Sequence, residues 1–402
     1  MIRAAGLESA AWGVLIALVL FAGLSQGGFS GWGLFGLRVL VGAGLILWLG
    51  SVVMRGFIRW PPLPVALAAL AYLLITVVGA LSSPYPYGSA QALLNTAMFG
   101  AVFFLGYACR PSCRPVLLVG FGLGAGILGV YGLWQALSLG LTRVTGLYFN
   151  SNHYSGFLAL AVPITLGLAL SSRGLWRGLW AGLAGLLCVN LILTFSWGLL
   201  AVALALAGWL LAGFGRRGWA GVLRGGLLAL SLVGLALLML VSLSPQLAGN
   251  LGQRTVQLWG DWARVSLESR AGIARGSLEL IKTHPWLGVG PGSFVYAWPR
   301  YRPPKIETVP QEILHKRINY AHNDYLQVAS ETGLLGLAAF LGFWIVVLGK
   351  GSRSLVGTGI KVGLIALLLH GLTDGNLTFI PANAVLAYLF AGLYVGETND
   401  PD

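Results

Sequence analysis

Between Glu8 and Asp261 the chain contains neither aspartate nor glutamate, and apolar runs long enough to cross a bilayer follow one another through that stretch. A soluble domain carries roughly a quarter of its residues as charges. Here 9% of 402 residues are charged, 57% are apolar and mean hydropathy is +0.80. A water-soluble enzyme is therefore excluded, and the chain reads as an all-α polytopic membrane protein.

A spanning helix needs about 20 mostly apolar residues. On that basis spans are expected near 9–27, 31–53, 62–81, 89–108, 115–138, 154–171, 178–195, 197–214, 225–244, 333–349, 361–374 and 382–396, about twelve in all. The first is read as a helix and not as a cleaved signal, because no small-x-small site follows it. Three units result: helices 1–9 over residues 1–244, a polar segment 245–332, and helices 10–12 with a short tail over 333–402. Glycine pairs four apart, Gly120 with Gly124 and Gly122 with Gly126, suit close helix packing in lipid.

Charge sets the orientation. Turns after even-numbered spans carry Arg55 and Arg59, Arg110 and Arg114, Arg173 and Arg177, Arg216, Arg217 and Arg224, then Lys350, Arg353 and Lys361, whereas the turns at 28–30, 82–88 and 375–381 carry no Lys or Arg. The positive-inside rule then puts both termini in the cytoplasm and the loops 139–153 and 245–332 outside. The net charge of +13 is accounted for in large part by this asymmetry, and no nucleic-acid module is present.

The long outer segment holds ten of the 25 basic residues and seven of the 12 acids, and is too short for a domain with a large core of its own. Within it, 268–283 sets Ile273, Leu278 and Ile281 among Arg270, Arg275, Glu279 and Lys282, which predicts an amphipathic helix at the membrane surface ending before Pro285.

Few residues are of a type that does chemistry. Cys109, Cys113 and Cys188 supply neither a disulfide framework nor a zinc set. No phosphate-binding loop, nucleophile elbow or paired metal-ligand motif occurs, so neither a metal nor a cofactor is expected. What remains is the run His322-Asn323-Asp324-Tyr325-Leu326-Gln327. An imidazole at a helix mouth on the outer face is suited to take a proton from a hydroxyl; a helix cap is the alternative. His370 and Asp374, four apart, are expected on one helix face, holding the site's shape. Asn150, Asn152 and His153 border the outer loop as sugar ligands or as a cap. Arg38, inside the second span, either approaches the same cavity or snorkels outward.

Four segments in order resemble the O-antigen ligase and polymerase superfamily: GLYFNSNHYSG from 146, SRAGIARGSLELIKTHPWLGVGPGSF from 269, HNDYLQVASETGLLG from 322 and HGLTDGNLTFIPANA from 370. The resemblance covers roughly residues 140–395. It implies a GT-C-like glycosyltransferase of the bacterial inner membrane, acting on its periplasmic face. Such an enzyme takes a glycan from undecaprenyl pyrophosphate and passes it to an acceptor hydroxyl, on a lipid A core sugar for a ligase or on a growing glycan for a polymerase, with no nucleotide sugar or required metal. It further implies His322 as the general base and Arg270, with Arg143 and Arg275, as ligands of the pyrophosphate, Asn323, Asp324, His370, Asp374 and Asn152 being supporting candidates. One departure stands out: where the family reads Ser-Arg-Gly, this chain has Ser196-Trp197-Gly198, which leaves the role of that arginine to another cation such as Arg143. A transporter or flippase would gather its polar groups at mid-membrane; here they collect at one face and in one loop.

Overall fold

The computed structural model describes residues 2–139, 141, 143–210, 263–303 and 318–399, and within these it is all helical. Helices α1 (Ile2–Leu24), α2 (Gly31–Arg55), α3 (Leu63–Leu81), α4 (Pro86–Ala108), α5 (Arg114–Ser138), α6 (Ser151–Ser171) and α7 (Gly174–Leu193) run in sequence. Then come α8 (Gly198–Leu210), α9 (Ala263–Thr283), α10 (Asp324–Leu348), α11 (Leu355–His370) and α12 (Pro381–Thr398). Eight of these, α1–α7 and α10, are long and apolar enough to cross a membrane; α8 and α11 are shorter apolar helices. The chain is a multi-pass membrane protein. Of the expected spans, the ninth, 225–244, and the end of the eighth, 211–214, lie outside the described residues.

Local sequence explains where the helices begin. Pro86 and Pro381 occupy first-turn positions of α4 and α12, where a missing N–H costs nothing. Ser30, Asn150, Asn323 and Ser354 cap α2, α6, α10 and α11 through their side-chain oxygens. Side chains such as Ile46, Val53, Leu63 and Leu81 point outward from the bundle, as lipid contact requires. α6 is apolar all round and is the central helix, buried from Ser151 to Ala169 apart from Asn152.

Close helix crossings rest on other glycines than those expected. α6 meets α11 through Gly167, Gly359 and Gly363, and α4 meets α12 through Gly106 and Gly392, where an added Cβ would strike backbone of the facing helix. Gly120 and Gly124 face α1, while Gly122 and Gly126 face α7 and meet mostly side chains. Opposing backbones come close only where both helices offer a small residue, which one helix's pattern cannot reveal.

At one end of the bundle Glu8 receives Arg55, at 3.2 Å, and Arg110. Arg59 donates to the Asn399 carbonyl at 2.9 Å, so both termini sit with the positively charged turns. The solitary acid of the first 260 residues thus offsets two of the charges that set the topology.

At the opposite end the polar segment forms a small core of its own. Ile273, Leu280, Val289, Phe294, Trp298 and Ala321 pack together, and Trp298 Nε1 donates to the Ile273 carbonyl at 3.3 Å. The buried face of α9 is Ile273, Gly276, Ser277, Leu280 and Ile281; Leu278, expected on that face, is 48% exposed. It stands about 140° around the helix from Ile273, too far to share its contacts.

This unit is clamped to the bundle by a break in α10. Gly333 has φ 69° and ψ −174°, a conformation open essentially only to glycine. The break releases the Ser330 and Glu331 carbonyls to accept from the N–H groups of Val289 and Gly290, each at 3.0 Å, and Leu334 N–H donates to the Pro285 carbonyl at 2.7 Å. The expected tenth span, 333–349, is the limb after the break; the helix itself begins nine residues earlier. Gly333→Ala is expected to lose thermal stability and activity together. The backbone conformation alone costs a side chain about 1–3 kcal/mol, and the added Cβ would collide with the Trp286 carbonyl. Unchanged melting of a purified Gly333→Ala protein would contradict this account of the clamp.

Candidate functional site

The segment Ile318–Asn323 enters α10 at the end opposite the termini, beside the turn 371–380 that joins α11 to α12. Asp324 fixes the two together. Its carboxylate, 1% exposed, accepts from Leu377 N–H at 3.1 Å, Thr378 N–H at 2.9 Å and the Thr378 hydroxyl at 2.7 Å, while its own N–H donates to the Gly371 carbonyl. Asn323 caps α10, accepting from Leu326 N–H at 2.9 Å, and its amide donates to the Leu372 carbonyl. The cap at this helix is therefore Asn323. His322, the residue before it, adopts φ 51°, a left-handed conformation uncommon for a side chain and concentrated at functional sites.

Asp374 is the centre of the cluster. α11 ends at His370, so Asp374 lies in the following turn and not on the same helix face as expected; its carboxylate accepts from Gly375 N–H at 2.9 Å in a local turn that ends the helix. The same oxygen accepts the Tyr320 hydroxyl at 2.8 Å and faces His322 Nδ1 at 3.6 Å. Burial opposes ionisation of this carboxyl, but the adjoining His322 ring and the neighbouring histidines more than offset it, holding the group well below the usual carboxylate range. Burial first, then the Asp374 charge, push the Tyr320 phenol up, so it stays a donor.

Three histidines surround this acid, in different states. His153 Nε2 meets the Tyr320 hydroxyl at 3.1 Å; since that hydroxyl donates to Asp374, the imidazole is the donor here. Asn376 faces His370 Nδ1 with its amide nitrogen at 3.2 Å, its oxygen being taken by Asn383, and so His370 donates through Nε2 to Ser196 at 3.3 Å. His153 and His370 are buried, and both ring nitrogens of His370 are engaged. His322 alone of the three is open, at 30% side-chain exposure, and neither its Nδ1 nor Asp374 Oδ2 has a hydrogen-bond partner among the described residues. An imidazole whose Nδ1 faces a carboxylate keeps Nε2 for a substrate proton.

The arginines divide sharply. Arg143 donates to the Thr194 carbonyl at 2.8 Å and to Asn152 Oδ1 at 2.7 Å, which ties the loop between α5 and α6 to the end of α7, just before Ser196-Trp197-Gly198. Burial, then the nearby Arg270 charge, lower its pKa. The Arg270 charge is also felt at Tyr320 and His370, so two cations flank the histidine cluster. Arg275 stands about 140° around α9 from Arg270, on the exposed face, and is not brought into the site. Arg300 is exposed, and Arg302 lies over the Trp298 ring at 5.4 Å. Among the described residues no three His, Cys, Asp or Glu side chains are arranged to hold a metal ion.

Residues 182–341, from within α7 to within α10, match the family model described as O-antigen ligase. This match supports the resemblance to the O-antigen ligase and polymerase superfamily over that part of the chain. No curated protein matches it. Members of the O-antigen ligase family are membrane glycosyltransferase-like enzymes, and the matched segment includes His322 and Arg270. Arg143, His370 and Asp374 lie outside it and reach the cluster through the fold. Sequence reasoning missed Tyr320, Ser196, Asn376 and Asn383. A weak signal existed for the last two: two asparagines in an otherwise apolar stretch beside His370 and Asp374 are costly in a membrane protein unless paired.

Proposed function

We propose that this protein is a metal-independent GT-C-type transferase of the O-antigen ligase family that moves a glycan from undecaprenyl pyrophosphate to a hydroxyl of a lipid A core sugar. In the reaction the acceptor oxygen forms the new bond to the sugar's anomeric carbon while its proton passes to His322 Nε2. The bond from that carbon to the phosphate oxygen breaks, and its electron pair leaves with the carrier pyrophosphate. Asp374 orients the ring and stabilises the imidazolium. Arg270 and Arg143 bind the pyrophosphate and its developing charge, Arg143 taking the place of the family arginine that is Trp197 here. The observation that carries the reading is the convergence of one open histidine, one buried carboxylate and two arginines at a single end of the bundle.

That end is the periplasmic one in this reading, with the termini cytoplasmic, because the turns at the other end carry the arginines. Deletion of the protein in its host is expected to leave lipid A cores without polymer while carrier-linked polymer accumulates. Glycans of a single repeat would instead assign the polymerase reaction, and unchanged surface glycans would refute both. Complementation with a chain carrying a periplasm-dependent reporter after Gly249 reads topology in the same cells; an inactive reporter on a functional chain would reverse the orientation.

A further inference from the structure

A second cavity, about 520 Å³, opens between α3, α4 and α10 beneath the residues 291–296, and its walls include Gln91, Asn95, Thr96, Asn319 and Gln327. Its size falls in the range of small-ligand sites, roughly 300–1,000 Å³. Neutral amides and hydroxyls facing one another across membrane helices are expensive, and their presence marks a bound polar partner.

Arg38 explains how these amides are set. Its guanidinium donates to Gln91 Oε1 at 2.9 Å and to Asn95 Oδ1 at 2.8 Å. Arginine has no acceptor, so the oxygens must face it, which leaves Gln91 Nε2 and Asn95 Nδ2 as donors on the cavity wall. The one carboxylate in the wall, Glu331, accepts from Phe294 N–H at 3.1 Å and from Gln327 Nε2 at 2.8 Å, and no Lys or Arg is among the described lining residues. Preset amide donors, hydroxyls and tyrosine faces, beside a carboxylate that would repel negative charge, describe a site for a neutral polyhydroxylated ring and not for an anion.

The cavity lies near the reacting residue. Phe379 lines it and stacks on Tyr320 at 3.9 Å, and the opposite face of Tyr320 carries the His322 ring at 4.0 Å, so two stacked rings stand between the cavity and His322. Neither Arg143 nor Arg270 lines it.

We propose that this cavity is the acceptor subsite, in which a neutral saccharide is held by Gln91 and Asn95, preset by Arg38, with its reacting hydroxyl directed past Phe379 to His322. The assignment rests on the transferase reading above. The test uses the purified full-length protein, with the host's core oligosaccharide freed from its lipid as the binding probe and the intact lipid-linked acceptor in transfer assays. Asn95→Leu, which removes an amide at similar volume, and Thr96→Phe, which fills the cavity, are each expected to weaken oligosaccharide binding and raise acceptor KM by about tenfold or more. Donor KM should be unchanged in both, and thermal unfolding unchanged in Thr96→Phe; Asn95→Leu also removes an acceptor of Arg38 and is expected to melt somewhat lower. Should Asn95→Leu fail to fold, Thr96→Phe decides. Wild-type binding and kinetics in a folded Thr96→Phe protein would overturn the subsite, as would a rise in donor KM in place of acceptor KM, or failure of the wild type to bind the oligosaccharide. His322→Gln is expected to bind the oligosaccharide normally. If it also transfers normally while the cavity variants fail to bind, the subsite survives and the catalytic reading fails.

Discussion

His322→Gln is expected to lower turnover by about 10²- to 10⁴-fold, the usual worth of a general base, with little change in donor affinity. Glutamine keeps the side chain polar and able to hydrogen bond, but it cannot take up a proton at neutral pH. The protein should fold as the wild type does, because the cap of α10 is supplied by Asn323 and the anchoring of its first turn by Asp324. The expected loss therefore appears in kcat with unchanged melting. A His322→Gln protein that melts normally and turns over normally would remove the base from the mechanism. Parallel loss of melting temperature and activity would instead make His322 a structural residue, held in its left-handed conformation for the sake of the turn.

Arg270→Lys, although it preserves charge, is expected to lose about 10²- to 10³-fold in kcat, the scale for removing one preorganised donor at a developing negative charge. A planar guanidinium bonds two phosphate oxygens at once, whereas an ammonium acts as a point charge. The neighbouring Arg143 cannot move to take over the second position, since its bonds to Thr194 and Asn152 fix where its remaining donors point. Arg275→Lys serves as the control on the same helix: exposed and on the other face, it should cost little. Equal effects at both positions would mean that net charge near the membrane, and not phosphate geometry, is what the helix supplies. In the same assay the wild-type rate should be unaffected by EDTA; loss restored by a divalent ion would place the pyrophosphate's neutralisation on a metal.

Much of the architecture was legible one segment at a time, because the signals are local. Hydropathy located α2–α7 and α12 to within a few residues, since a bilayer demands a minimum apolar length whatever the neighbours, while α1 and α11 begin well before the expected starts at 9 and 361. The break at Gly333 marks where the apolar limb of α10 begins, so the expected boundary fell on a real discontinuity, although the helix starts at Asp324. His370 and Asp374 stood out as polar residues in an apolar stretch and His322 as an imidazole at a helix mouth, whereas Arg270 was singled out through the family resemblance. What the sequence could not convey was direction and distance. Leu278 and Arg275 look like partners of Ile273 and Arg270, but a few residues' rotation around α9 sends them to the exposed side. His370 and Asp374 are four apart, yet a turn after His370 takes Asp374 out of the helix to meet Tyr320 and His322. Arg38 seems free to snorkel until α4 brings up Gln91 and Asn95, residues more than fifty positions away. The apolar spacing in one chain thus determined that these helices cross a membrane, although eight of the described helices, against about twelve expected, are long and apolar enough to do so. Only their packing decided which polar groups face one another, because in lipid a buried hydrogen bond is set by the rotation and approach of two helices, and neither helix carries that information alone.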